Sequence, residues 1–242
     1  FMTLSIVIPA YNEEMRIIPT LERFRDVFIR NNSDIEILVG DDGSMDGTVR
    51  VVNEFARTNT WCRLIEREKN QGKGAILREL VAESKGDIVL YSDADLPVDP
   101  LNFKQLIDPI LSGKADLVQV SRWLEDSPKV ANVPALRNII SQLFRLVTLK
   151  IKPRGITDTQ CGCKALNGNL ARKLFSHLVI DGFAFDVELL LLAQAFGSSI
   201  LEVPLPVRHI EGSSVKPINA TLTMIRDLLR IKWKASSDWV DK

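Results

Sequence analysis

The sequence predicts an α/β domain: a mixed, mostly parallel sheet flanked by helices, with amphipathic helices toward the C-terminus. Three observations predict it. Short β-branched apolar runs alternate with helix-period segments through the first half, the pattern of βαβ units. The runs are almost wholly apolar instead of alternating, as strands buried on both faces are. Polar clusters follow the runs directly, and open α/β sheets bind ligands beyond the carboxyl ends of their strands.

Taken in order, residues 4–9 (LSIVIP) read as the first strand, and Ile17, Leu21, Phe24 and Phe28 mark the apolar face of the next helix. Residues 35–40 are a second buried strand, followed by a helix that turns Val49, Val52 and Phe55 inward. Residues 61–65 fit a third strand, and Ile76, Leu80 and Val81 a third helix. The run DIVLY at 87–91 is the fourth strand. The second half is less regular. Residues 117–120 and 200–203 read as strands, and 157–166 as a loop leading into a short one. Residues 134–150 read as a helix with Pro134 in its first turn, 185–196 as a buried helix ended by Gly197, and 220–234 as a last helix.

Composition narrows the function classes. With 242 residues and 45% apolar content the chain can bury a sizeable core, and no repeat, low-complexity tract or linker divides it. Basic and acidic residues number 31 each, so no bulk field draws nucleic acid, and no nucleic-acid partner is expected. Three cysteines without repeated spacing do not make a disulfide framework and point to a reduced, cytosolic compartment. Residues 4–9 are too short for a secretory signal, and no stretch reaches the ~18–20 apolar residues of a membrane span. His177 and His209 lack metal-ligand spacing, and Cys161-x-Cys163 lacks further zinc ligands.

The chemistry sits in the polar clusters. Asp93-Ala94-Asp95 follows the DIVLY strand; two carboxylates one residue apart can turn toward one hard cation such as Mg2+ or Mn2+, with phosphate oxygens completing its shell. Helix capping is the plainer reading of the same pair. Asp41-Asp42-Gly43-Ser44 and Asp46-Gly47-Thr48 follow the second strand. Asp42 suits a base or ribose ligand, whereas Ser44 and Asp46 suit turn and cap positions. Asn70-Gln71-Gly72-Lys73-Gly74 opens a helix, where an anion is favoured, but it lacks the P-loop spacing and reads equally as a simple loop-to-helix turn.

In order, the segments IVIPAYNEE (6–14), DDGSMDGT (41–48), NQGKGAILR (70–78) and GDIVLYSDADL (86–96) resemble the family 2 glycosyltransferases of GT-A (Rossmann-like) fold. Ser121-Arg122, DTQCGCK (158–164) and FDVELL (185–190) are most similar to the dolichyl-phosphate β-glucosyltransferases among the polyprenyl-phosphate sugar transferases. The resemblance spans nearly the whole chain and implies one GT-A domain over 1–242, with a nucleotide-binding half at 1–97 and an acceptor-binding half at 98–242. It also implies roles. Pro9, Tyr11, Glu13 and Asp42 would bracket the nucleotide, with Lys73 beside it. Asp93 and Asp95 would hold the divalent ion. Arg122, Arg137 and Lys164 would face phosphates of donor or acceptor, as planar guanidinium forks do well. Asp95, Arg122, Asp158 and Glu188 would form the catalytic set, the last two lining the sugar and acceptor end. Where mannosyl-transferring relatives often carry a glutamine as a further metal ligand, this chain has Pro97.

The implied reaction is an inverting transfer of a sugar, glucose first, from a nucleotide-diphosphate sugar (UDP favoured over GDP) to a polyprenyl or dolichyl phosphate. A phosphate monoester is largely ionised at neutral pH, so such an acceptor needs positioning more than deprotonation. A soluble transferase acting on a saccharide, protein or small-molecule hydroxyl is the alternative, and it would need Asp158 or Glu188 as base. A nucleotidyltransferase would show a basic Gly-rich loop after the first strand, where this chain has the acidic Tyr11-Asn12-Glu13. Residues 134–153 interleave Arg137, Arg145, Lys150 and Lys152 with apolar side chains, and 220–234 does similarly. Such helices can lie in a headgroup layer, although a core helix with a basic edge looks the same in sequence. A place in the cytoplasm, peripheral to the cytoplasmic face of a membrane, is expected.

Overall fold

A computed structural model describes residues 3–29, 34–128, 151, 153–208, 224 and 226–231. Seven strands form one sheet: β1 (Leu4–Ala10), β2 (Ile35–Asp42), β3 (Cys62–Arg67), β4 (Ile88–Ser92), β5 (Leu117–Val120), β6 (Cys163–Asn167) and β7 (Ile200–Val203). Their spatial order is β3-β2-β1-β4-β6-β5-β7. The pairs β2–β3, β1–β2, β1–β4 and β5–β7 are parallel. Only β6 runs antiparallel, against both β4 and β5. The sheet is therefore mixed and mostly parallel, as the sequence predicts.

Six helices cover it: α1 (Ile17–Val27), α2 (Thr48–Thr58), α3 (Lys73–Glu83), α4 (Lys104–Leu111), α5 (Gly168–His177) and α6 (Phe185–Ala195). Ile6, Ile8 and Ile37 pack on one face with Leu21, Phe24 and Phe103. Val7, Leu38 and Tyr91 pack on the other with Leu80, Phe175 and Phe185. With helices on both faces, every residue of β1 is buried, which is why its sequence shows no polar alternation.

Two helices lie outside the predicted elements. α4 carries Pro109 in its interior, which argues against a helix, yet Leu106, Ile107 and Ile110 bury against the sheet and prevail. α5 begins at Gly168, a poor helix residue, because a Cβ there would stand 2.1 Å from the Gly86 carbonyl oxygen. Asn167 compensates by accepting the amides of Asn169 and Leu170. The helix expected at 134–150 lies outside the described residues. Of the one expected at 220–234, residues 224 and 226–231 are described and helical, with Leu228 and Ile231 buried.

The chain steps outward from β1 to β2 and β3, then returns to place β4 on the other side of β1. This reversal opens a crevice at the carboxyl ends of β1 and β4, the place where such sheets bind ligands. α3 enters the crevice from a tight junction. Gly74 and Ala75 donate their amides to the Asp181 carbonyl at 2.7 and 3.2 Å. Gly72 sits at φ 111°, and a Cβ on it would meet the same carbonyl oxygen at 2.5 Å. Gly72→Ala is expected to lower stability by roughly 1–3 kcal/mol through strain and displacement. Urea denaturation would register it as a lower midpoint at unchanged slope.

Candidate active site

The loops after β1 and β2 are stapled together before any ligand arrives. Asn12, at φ 56°, donates its amide to Ser44 Oγ (2.8 Å) and accepts the Met45 amide on Oδ1 (2.8 Å). Asparagine tolerates this left-handed conformation better than most residues. Glu13 donates its amide to Thr48 Oγ1 (2.8 Å), and Glu14 exchanges bonds with Asp46 and Gly47. Asp46 accepts the Thr48 amide at the start of α2, as its sequence position predicts. Ser44 does not cap that helix; its hydroxyl goes to Asn12 instead. Pro9 is buried at the end of β1, and Tyr11 is half-buried beyond it.

The two aspartates ending β2 differ in what they bind. The Asp42 carboxylate is buried and accepts the amides of Gln71 (3.0 Å) and Gly72 (2.7 Å), with Arg67 at 3.5 Å. It anchors the loop that opens α3. Asp41 holds the Ser44 amide on Oδ2 (2.9 Å), while its Oδ1 is buried without a hydrogen-bond partner. A buried carboxylate oxygen lacking a donor is costly unless a ligand supplies one. The open oxygen makes Asp41, the neighbour of the Asp42 to which the sequence points, the ligand candidate of the pair.

The Asp93–Asp95 loop is held from three sides. The Asp93 amide donates to the Gly162 carbonyl (3.0 Å), Thr20 Oγ1 donates to the Ala94 carbonyl (2.7 Å), and the Arg208 amide donates to the Pro97 carbonyl (2.7 Å). Leu96 takes φ 50°, an uncommon conformation for a branched aliphatic residue, and the surrounding bonds maintain it. Ala94 is buried between two half-exposed aspartates. Gly162 leaves room for Asp93: a Cβ at residue 162 would stand 1.9 Å from Asp93 Oδ2. The Lys73 ammonium lies 2.5 Å from Asp93 Oδ1, over the rings of Tyr91 (6.0 Å) and Phe185 (5.8 Å). Burial pulls the Lys73 pKa down, but Asp93, Asp186 and Asp95 outweigh it, so the net shift is upward. Glu13, forked by Arg16 at 2.6 and 2.8 Å, is raised by burial and by the charges of Asp95 and Asp93, despite the arginine.

This donor set fits a divalent ion. Two hard carboxylates stand partly accessible in a negative field beside a cradle only glycine permits. Among the described residues no cluster of three or more His, Cys, Asp or Glu could hold a metal by itself, so phosphate and water oxygens would complete the shell.

The predicted acceptor-side residues divide. Asp158 forks Arg122, with Nε to Oδ2 at 2.7 Å and Nη2 to Oδ1 at 2.9 Å, and also takes the Gln160 amide. Burial would raise the Asp158 pKa; the arginine overcomes this and holds it below the usual carboxylate range. The Arg122 side chain remains 28% exposed and so can reach a ligand. Lys164 does not face a phosphate. It is 0% exposed, bonded to Asp186 Oδ1 (2.6 Å) and the Cys161 carbonyl (2.9 Å), over the Tyr91 ring, and Tyr91 donates its hydroxyl to the same Asp186 oxygen. Glu188 likewise does not line an acceptor site: buried in α6, it accepts the amides of Val179 and Ile180. Arg137 lies outside the described residues. Thr20 and Asp186 were not predicted as site residues. Their signals were a hydroxyl on the apolar stripe of a helix and a carboxylate inside an apolar run.

The sequence pattern of Glycosyl transferase family 2 matches residues 5–175. The chain belongs to this family. It is 33% identical over 243 residues to a dolichyl-phosphate beta-glucosyltransferase of Dictyostelium discoideum, covering 96% of this chain and 74% of that protein. Its human counterpart is 32% identical, over 95% of this chain and 74% of the relative. A similar solved structure is glucosyl-3-phosphoglycerate synthase from Mycobacterium tuberculosis, crystallised with Mn2+, UDP and phosphoglyceric acid. It superposes with a TM-score of 0.70 at 22% identity, over 98% of this chain and 79% of that one, which establishes the shared fold.

In this family 2 glycosyltransferase, Lys164→Ala would leave the Asp186 charge buried and uncompensated. A loss of about 3–5 kcal/mol is expected in guanidinium denaturation. Lys164→Met combined with Asp186→Asn should recover much of it, since an asparagine oxygen can still accept from Tyr91.

Proposed function

We propose that this glycosyltransferase moves glucose, with inversion, from UDP-glucose to the phosphate of a polyprenyl lipid of the dolichyl type. The names of the full-length relatives support the glucosyl group and the lipid phosphate. The observation that carries the reading is the state of the two carboxylates that a hydroxyl acceptor would need as base. Asp158 is tied to Arg122 and has a lowered pKa, and Glu188 is buried on backbone amides. Neither is placed to take a proton from a hydroxyl acceptor. A phosphate acceptor needs no such base, because its second pKa of ~6 leaves it ionised at neutral pH.

In this reading Asp41 accepts from the base or ribose, and Tyr11, Pro9 and Glu13 wall the nucleotide. Asp93 and Asp95 would hold Mg2+ or Mn2+, which supplies positive charge to the diphosphate when bound. Lys73 adds a fixed charge on the same side, and Arg122 orients the acceptor phosphate. A peripheral position on the cytoplasmic face of a membrane is part of the reading. Arg226, Leu229 and Arg230 are exposed on a helical stretch whose Leu228 and Ile231 face inward, which suits a headgroup layer. No helix among the described residues is long and apolar enough to cross a membrane.

Incubation with radiolabelled UDP-glucose, dolichyl phosphate and Mn2+ should place label in a butanol-extractable, acid-labile lipid. Label confined to water-soluble product would reject the lipid acceptor. Asp95→Ala should lower transfer by about 10²–10³-fold while the melting temperature stays near wild type. UDP with Mn2+ should raise the melting temperature more than GDP does, as mass action requires of the better native-state ligand.

A further inference from the structure

Glu202 on β7 belongs to no motif read from the sequence, yet four hydrogen bonds converge on its carboxylate, as many as Asp158 accepts. Its Oε1 accepts from the Asp158 amide (3.0 Å) and Gln119 Nε2 (2.9 Å). Its Oε2 accepts from the Thr157 amide (2.7 Å) and Thr157 Oγ1 (2.8 Å). Gln119, from β5, also reaches the Asp158 carbonyl at 2.6 Å, and Ser121 Oγ lies 2.6 Å from Thr157 Oγ1. Glu202 thus takes both amides of the Thr157–Asp158 backbone, while Gln119 holds the Asp158 carbonyl. Asp158 in turn forks Arg122 and accepts its amide at 3.1 Å.

We propose that Glu202 is the positioning residue for Arg122: it sets the Thr157–Asp158 turn, and the turn aims the guanidinium at the acceptor phosphate. The proposal rests on Arg122 facing that phosphate, as proposed above. The chain of contacts is directional. A guanidinium gripped by a fork through Nε and Nη2 follows its carboxylate, and a carboxylate whose backbone amide is bound to a third group follows that group. Small displacements of such a group change turnover steeply, since misplacement of about 1 Å can lower rates by 10²-fold.

Glu202→Gln tests this with little change of shape. Whichever way the new amide turns, its NH2 faces a backbone N–H, of Thr157 or of Asp158. Gln119 cannot flip to compensate without giving up its bond to the Asp158 carbonyl. Transfer from UDP-glucose to dolichyl phosphate in detergent is then measured for wild type, Glu202→Gln, Arg122→Ala and the double variant. UDP affinity is measured in parallel by calorimetry. The expected result is a fall of about 10–100-fold in kcat/KM for the acceptor in Glu202→Gln, with UDP affinity unchanged, and a double variant no slower than Arg122→Ala alone. Thr157→Val, which removes one of the four bonds, should give a smaller fall in the same parameter, and it carries the test if Glu202→Gln does not fold. Wild-type transfer in Glu202→Gln, or effects that multiply in the double variant, would overturn the positioning role. If Arg122→Ala itself transfers at the wild-type rate, the placement of Arg122 fails first and the proposal falls with it.

Discussion

The crowding of like charge at one end of the sheet is the constraint from which the rest of the architecture follows. Glu13, Asp41, Asp42, Asp93 and Asp95 all lie at the carboxyl ends of β1, β2 and β4. Their mutual repulsion is visible in Glu13, whose proton affinity rises with burial and with the charges of Asp95 and Asp93 even under an arginine fork. A fold that gathers acids there must offset them. It uses backbone amides for Asp41 and Asp42, a guanidinium for Glu13, and an ammonium for Asp93. Asp41 Oδ1 is buried without a hydrogen-bond partner, and Asp93 and Asp95 stay partly accessible; these are the groups the proposed reading gives to a nucleotide and a cation.

Keeping an ammonium beside Asp93 has its own structural requirement. Lys73 enters from the first turn of α3 and sets its ammonium over the rings of Tyr91 and Phe185, whose faces favour a cation. Tyr91 must then bury its hydroxyl, and Asp186 accepts it; Asp186 needs a counter-charge, and Lys164 supplies it from the strand position opposite Tyr91. The fully enclosed Lys164–Asp186 pair is thus a consequence of how the accessible charges above it are held. Buried pairs of this sort contribute little net stability against apolar replacements, so its place in the fold is better explained by the orientation it imposes than by the energy it adds.

Much of this was legible in the sequence where structure is local. β1, β2, β4 and β5 fall where the apolar runs put them, because strands buried on both faces read as apolar runs, and the partly buried edge strand β7 falls where it was read as well. The Asp93-Ala94-Asp95 pair and the Asp41–Thr48 turn were found because they sit next to such strands. Legibility failed where a side chain's job depends on a distant backbone. Nothing local separates Asp41 from Asp42; the amides of Gln71 and Gly72, about thirty residues on, decide between them. Lys164 in a polar loop motif resembles a phosphate ligand until β6 pairs antiparallel with β4 and carries it beneath Tyr91. α4 was hidden by its interior proline, and α5 by a glycine whose necessity lies in the Gly86 carbonyl across the core.

The same distinction bears on how the two halves can change. The nucleotide side is stapled by bonds between neighbouring βα loops, so its geometry is set once β1, β2 and α2 have formed. The proposed acceptor side draws on β5, the 157–162 loop and β7: Arg122 is forked by Asp158, whose amide is bound by Glu202 from an outer strand. Parts linked through a relay of hydrogen bonds respond together, whereas parts pinned separately do not. On the proposed reading, such a sheet would hold the nucleotide diphosphate in a constant frame while substitutions on β5 and β7 shift the acceptor's position by fractions of an ångström. Reactions at an ionised phosphate are governed by that position, since no proton has to leave first.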